Sequence, residues 1–117
     1  MNAITVYCAS STSLDQEYHG AAEQVGKEIA ARGFTLVYGG GRIGLMGEVA
    51  SAAAANGAEV IGVITQKFVD HEQANESCDE LIIVETMQQR RSIMMDRGDA
   101  FLMLPGGVGT YEEFFEV

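Results

Sequence analysis

Five short apolar runs punctuate the chain: residues 3–9 (AITVYCA), 34–38 (FTLVY), 59–64 (EVIGVI), 81–84 (LIIV) and 100–104 (AFLML). They are rich in β-branched residues and lack a polar alternation, the pattern of strands buried on both faces. The stretches between them carry helical signals. Ser13 and Gln16 have the spacing of a capping box, so a helix is predicted from there to about Arg32, stopped by Gly33. Residues 45–56 are alanine-rich and helical, with Gly57 as the stop. Residues 65–80 are polar and irregular and are predicted as a long loop with at most a helical turn. Residues 87–97 form the next helix, ended by Gly98, and a last helix starts near Tyr111.

Strands alternating with helices predict right-handed βαβ crossovers. The fold class expected is α/β, a Rossmann-like doubly wound parallel sheet with helices on both faces. Ligands in such sheets bind beyond the carboxyl ends of the strands. The length of 117 residues suits one domain over 1–117. The final helix runs only a few residues to Phe114, Phe115, Glu116 and Val117. The sequence therefore reads as a nucleotide-binding domain whose C-terminal part continues beyond residue 117.

Composition narrows the function. The chain is 47% hydrophobic and 21% charged, which excludes intrinsic disorder. Seven Lys+Arg against 17 Asp+Glu give a net charge of −10, which argues against a general DNA or RNA binder. No apolar run reaches the roughly 18 residues of a membrane span. The N-terminus lacks a basic region ahead of its apolar stretch, which argues against a secretory signal. Cys8 and Cys78 form neither a metal spacing nor a disulfide framework, and Cys8 reads as a buried small hydrophobe; the expected location is the cytoplasm. Glycine is in excess, at 14 residues.

Much of that glycine lies in two loops, each directly after a strand and therefore on the ligand-binding edge. In the first, Gly39, Gly41 and Gly44 fit G-x-G-x-x-G between a strand and a helix, with Gly40 between them. A helix N-terminus behind such a loop suits a phosphate. Dinucleotide binding is disfavoured, because the loop follows the second strand and no acid ends the next one. A tight turn without ligand is the bland alternative. The second loop is Pro105-Gly106-Gly107-Val108-Gly109-Thr110, followed by Tyr111, Glu112 and Glu113. Thr110 and Glu113 also have capping-box spacing, so Glu113 has a purely structural alternative. Two such loops on one edge suggest a nucleotide.

The third element is the helix carrying Met87, Arg90, Arg91 and Met94, expected on one face as a half-apolar, half-cationic patch. A cation near a helix N-terminus opposes the dipole, so an anionic ligand or a carboxylate is expected to compensate. A solvated arginine pair is the alternative.

Pro-Gly-Gly-x-Gly-Thr-x-x-Glu at 105–113, the 38–47 stretch ending Gly-Leu-Met-Gly, and the Met87/Arg90 helix together resemble the Lonely Guy family. These are cytokinin riboside 5′-monophosphate phosphoribohydrolases, long mislabelled as lysine decarboxylases. The resemblance runs from Tyr7 to the end of the chain. It implies hydrolysis of the N-glycosidic bond of a purine nucleoside 5′-monophosphate, with Arg90 and Glu113 as the catalytic pair. It also implies that Gly40, Gly41, Gly44, Gly106, Gly107, Val108, Gly109, Thr110, Tyr111 and Glu112 bind the nucleotide. By the same resemblance Glu72 contacts base or ribose, Met87 lines the pocket and Arg91 contacts substrate. A homodimer is implied; Met87–Met94 and Phe114–Phe115 would supply apolar surface for it. No cofactor, metal, nucleic acid polymer or membrane enters this reading.

Two departures bear on specificity. Arg91 stands where the family usually has lysine, and Thr65 where a proline is common. The decarboxylase label fails on chemistry, since a pyridoxal phosphate enzyme needs a Schiff-base lysine. The chain has only Lys27, expected on an outward helix face, and Lys67, in the irregular stretch. His19 reads as a helix-surface residue and His71 as a loop residue. Two other functions stay open: a general AMP nucleosidase, and a nucleotide-binding carrier that does not cleave its ligand.

Overall fold

A computed structural model of the chain describes residues 2–7, 16–42, 44–70, 74–75 and 77–103. In chain order these form β1 (Ala3–Tyr7), α1 (Gln16–Ala31), β2 (Thr35–Tyr38), α2 (Gly44–Ala55), β3 (Val60–Thr65), α3 (Gln66–Asp70), β4 (Glu80–Val84), α4 (Met87–Arg97) and β5 (Ala100–Met103). The strands make one parallel sheet in the order β4-β3-β2-β1-β5. The expected α/β architecture is therefore present. The order reverses at β1, which has β2 on one side and β5 on the other, a place where open sheets leave a crevice at their carboxyl edge.

The doubly wound arrangement is visible in the packing. On one face, Ala22 and Ile29 of α1 and Val49, Ala50 and Ala53 of α2 bury against Val6, Leu36, Tyr38 and Val60. On the other, Met94 of α4 buries with Ala3, Tyr7, Val37, Ile61 and Val63. Successive strand residues thus feed opposite cores, as the two-fold side-chain alternation of a strand requires. This is why β1 to β3 read as continuous apolar runs. Burying an aliphatic side chain of this kind contributes roughly 1.5–3 kcal/mol.

Boundaries moved modestly. Thr65 extends β3, Glu80 begins β4, and the stretch expected as a loop holds the short helix α3. Cys8, Ala9, the Ser13 cap, Leu104 and the helix expected near Tyr111 lie outside the described residues. At the amino edge, two aspartates complete backbone pairing: Ala3 N donates to Asp99 Oδ2 (2.8 Å) and Val60 N to Asp79 Oδ2 (2.7 Å). Both sit at the edge opposite the glycine loop. Among the described residues no helix is long and apolar enough to cross a membrane.

Candidate functional site

Arg90 organises the carboxyl edge. It lies in the first turns of α4, whose start is fixed by a capping box: Gln89 N donates to Thr86 Oγ1 (3.1 Å), while Gln89 Oε1 accepts from Thr86 N (3.1 Å). From there the Arg90 side chain runs under the sheet edge and is 4% exposed. Its Nε donates to the Val63 carbonyl (2.9 Å) and its Nη2 to the Gly39 carbonyl (3.3 Å). The last β2–β3 register pair is Tyr38 with Gly62, so both carbonyls lie just past the β2–β3 pairing, while Val63 still pairs with Ile82 of β4. The guanidinium thus satisfies backbone acceptors there, and a buried acceptor left without a donor would cost about 1–3 kcal/mol.

This corrects two expectations. Arg90 and Met94, four apart on α4, both turn into the protein, and Met94 is 1% exposed. They are not part of an outward patch, and Met94 supplies no apolar surface to a partner. The physical reason is that carbonyls at the carboxyl end of the sheet supply acceptors for the buried guanidinium. Met87 does remain on the surface (39% exposed), and Arg91 is half-buried.

The first glycine loop stands beside this arginine. Gly40 has φ +78°, and a Cβ there would come within 3.0 Å of the Ile64 Cβ, so the loop crosses β3 too closely for a side chain. Gly40 and Gly41 are buried, and Gly44 opens α2. The segment after α3 folds back over the loop. Asn75 N donates to the Gly40 carbonyl (2.8 Å), and Ala74 bridges Gly41.

Tyr38 ties these pieces together. Its hydroxyl donates to the Gly41 carbonyl (2.8 Å) and accepts from Asn75 Nδ2 (3.0 Å). Cys78 Sγ lies 3.7 Å from the same oxygen and carries a free thiol. Burial pushes that thiol above its ordinary value; the nearby Asp79 charge adds to this, while the Tyr38 contact works against it. Tyr38, Asn75 and Cys78 carry no spacing signal in the sequence, and their network becomes visible only when the chain is folded.

The structure therefore brings together Arg90, Gly40, Gly41 and the start of α2 at Gly44 on the carboxyl edge, with Met87 and Arg91 on the same helix as Arg90. Glu72, Gly106, Gly107, Val108, Gly109, Thr110, Tyr111, Glu112 and Glu113 lie outside the described residues. Lys27 is exposed and paired with Glu23 (3.4 Å), and Lys67 lies exposed on α3, so neither has the setting of a Schiff-base lysine. Among the described residues no three His, Cys, Asp or Glu side chains group to hold a metal ion.

A family model described as "possible lysine decarboxylase" matches residues 46–117. The chain is 51% identical to a cytokinin riboside 5′-monophosphate phosphoribohydrolase of Mycobacterium tuberculosis, over 97% of this chain and 60% of that protein. It is 47% identical to the protein of the same name from Rhodococcoides fascians, over 98% of this chain and 59% of that one. The chain spans about 60% of the length of these two relatives and about half that of several others it matches. In fold it is similar to a molybdenum cofactor carrier protein from Chlamydomonas reinhardtii, with a TM-score of 0.84 at 23% identity, covering 98% of this chain and 68% of that one. A buried arginine beside a glycine loop on a Rossmann-like sheet, and relatives of this similarity, lead to one conclusion: the chain belongs to the Lonely Guy family, whose family model still carries the lysine decarboxylase description.

Proposed function

We propose that the protein hydrolyses the N-glycosidic bond of a purine nucleoside 5′-monophosphate, of cytokinin type or AMP, releasing free base and ribose 5-phosphate. The observation that carries this reading is Arg90, buried against the Val63 and Gly39 carbonyls at the sheet edge where such folds bind ligands. Relatives near 50% identity are named for this reaction.

In the proposed reaction the C1′–N bond breaks, water oxygen bonds to C1′, and a water proton ends on the base. The ribose passes through an oxocarbenium-like state while negative charge gathers on the leaving base. Glu113 is assigned the carboxylate role: it stabilises the sugar cation and orients water. Arg90, held rigid by backbone carbonyls, steadies the leaving base or Glu113. Gly106, Gly107, Gly109 and Thr110 are assigned to the 5′-phosphate, Val108, Tyr111 and Glu112 to the substrate more generally, and Gly40, Gly41 and Gly44 to the sugar side. Glu72, Met87 and Arg91 are assigned to base and ribose. No metal or cofactor is needed for these steps.

The same reading carries a homodimer and a cytoplasmic location. Met87 and Ile83, both exposed, are apolar surface suited to a second copy.

The test is to incubate the protein with AMP and with isopentenyladenosine monophosphate and separate the products by chromatography. Free base from either supports hydrolysis, and the ratio ranks the two substrates. Binding of both nucleotides without release of base would leave a carrier and end the enzyme reading.

A further inference from the structure

Gly39 was read from the sequence as one glycine of a phosphate-type loop. The folded chain gives it another task. A Cβ built on Gly39 would overlap Arg90 Nη2 and would lie 3.0 Å from the Met46 sulfur and methyl. The same Nη2 donates to the Gly39 carbonyl. The Nη2 end of the guanidinium therefore occupies the space beside the Gly39 α-carbon that a side chain would fill.

We propose that Gly39 is a positioning residue for Arg90: the missing side chain is the seat of the guanidinium. Three observations converge. Arg90 is nearly fully buried, so its head has little room to move sideways. Its Nε is anchored to Val63, so a shift of the head also strains that bond. Met46 lies against another side of the seat, its sulfur and methyl 3.0 Å from where the Cβ would stand. A methyl at position 39 evicts the guanidinium instead of being absorbed by the loop. Arg90 is the far end of a flexible side chain, so eviction leaves the backbone in place and removes the arginine from its working position.

The functional part of this proposal rests on the role given to Arg90 above. Its test therefore has an arm that does not need turnover. In a 1H–15N NMR spectrum, the buried Arg90 Hε bonded to Val63 gives a slowly exchanging side-chain resonance, assigned by its loss in Arg90→Lys. Gly39→Ala is expected to shift that resonance and speed its exchange roughly 10- to 100-fold, the range for losing one charge-assisted hydrogen bond. It is also expected to lower kcat/KM by a similar factor, mostly through kcat. In the Arg90→Lys background, where no Nη2 exists, Gly39→Ala should change activity and melting temperature little, by less than about threefold in kcat/KM. An unchanged Arg90 resonance in Gly39→Ala, or an equal loss in both backgrounds, overturns the proposal. If Gly39→Ala alone does not fold, folding of the double variant supports the seat, and failure of both overturns it. If the wild-type protein releases no base, the proposed reaction falls while the resonance still decides the seat.

Discussion

Arg90 Nε donates to the carbonyl of Val63 at 2.9 Å, joining the start of α4 to the end of β3 inside the protein. This bond gives the buried cation a backbone acceptor. Arg90→Lys keeps the charge but cannot reach two carbonyls with a planar fork. It is expected to destabilise the fold by about 1–3 kcal/mol, read as a lower denaturant midpoint with an unchanged slope. An unchanged midpoint would mean that the carbonyl contacts contribute little.

Tyr38 and Asn75 clamp the glycine loop. Tyr38→Phe removes one hydroxyl that donates to Gly41 and accepts from Asn75, and leaves two polar groups short of a partner. The expected cost is about 1–3 kcal/mol. Asn75→Ala should cost a comparable amount, and the double variant less than the sum, because both act through the same oxygen. Strict additivity in urea melts would break the clamp apart.

Cys78 supplies a pH dependence. Its folded thiol titrates above its unfolded value, chiefly through burial. A raised acid contributes stability that is complete below the unfolded thiol range and is lost as pH rises through the folded value. Stability should therefore decline in alkaline buffer above about pH 8.5. Cys78→Ala, compared with wild type in a Cys8→Ser background, should flatten that decline. Alkylation of Cys78 by iodoacetamide near neutral pH should be slower than that of an unfolded thiol. Rapid labelling at pH 7 would contradict the burial argument.

Two glycines separate helix propensity from backbone strain. Gly20 sits in α1 with nothing within 4 Å of a built Cβ. Gly20→Ala should stabilise by roughly 0.5–1 kcal/mol through helix propensity. Gly40→Ala, with φ +78° and Ile64 close by, should destabilise by at least about 1 kcal/mol. Thermal melting of the pair checks both signs together.

Much of the fold was legible because burial on both faces leaves a simple mark. The runs of β1, β2 and β3 are unbroken apolar stretches, and Gly33 and Gly57, both at positive φ, end their helices where the sequence placed them. Helix α3 was harder, since Gln66–Asp70 has no buried residue and so no periodic face. At the site, the arginine pair of α4 stood out in the sequence, but the direction of Arg90 was not readable. Which face α4 turns inward depends on carbonyls of β3 and of the loop after β2, and backbone acceptors leave no trace in side-chain patterning. The Thr86–Gln89 cap went unread, although it carries a Thr-x-x-Gln signature of the same kind as Ser13 and Gln16. Asn75 and Cys78 reach Tyr38 across 37 and 40 residues, a separation that no local pattern encodes.

If the proposed nucleotide is the substrate, the net charge of −10 repels it at long range and its capture must rest on local donors. Raising salt from about 50 to 300 mM should change KM for AMP less than about threefold, because screening acts mainly on distant charges. A steep rise in KM with salt would point to steering by a basic surface.

The central claim is that Arg90, locked under the sheet edge, serves the cleavage of a nucleotide. The most direct measurement is turnover of Arg90→Lys at saturating nucleotide, with nucleotide binding measured on the same sample. The account predicts base release reduced by about 100-fold or more while the nucleotide still binds, as expected when an interaction made chiefly in the transition state is removed. Wild-type rates of base release from Arg90→Lys would contradict it.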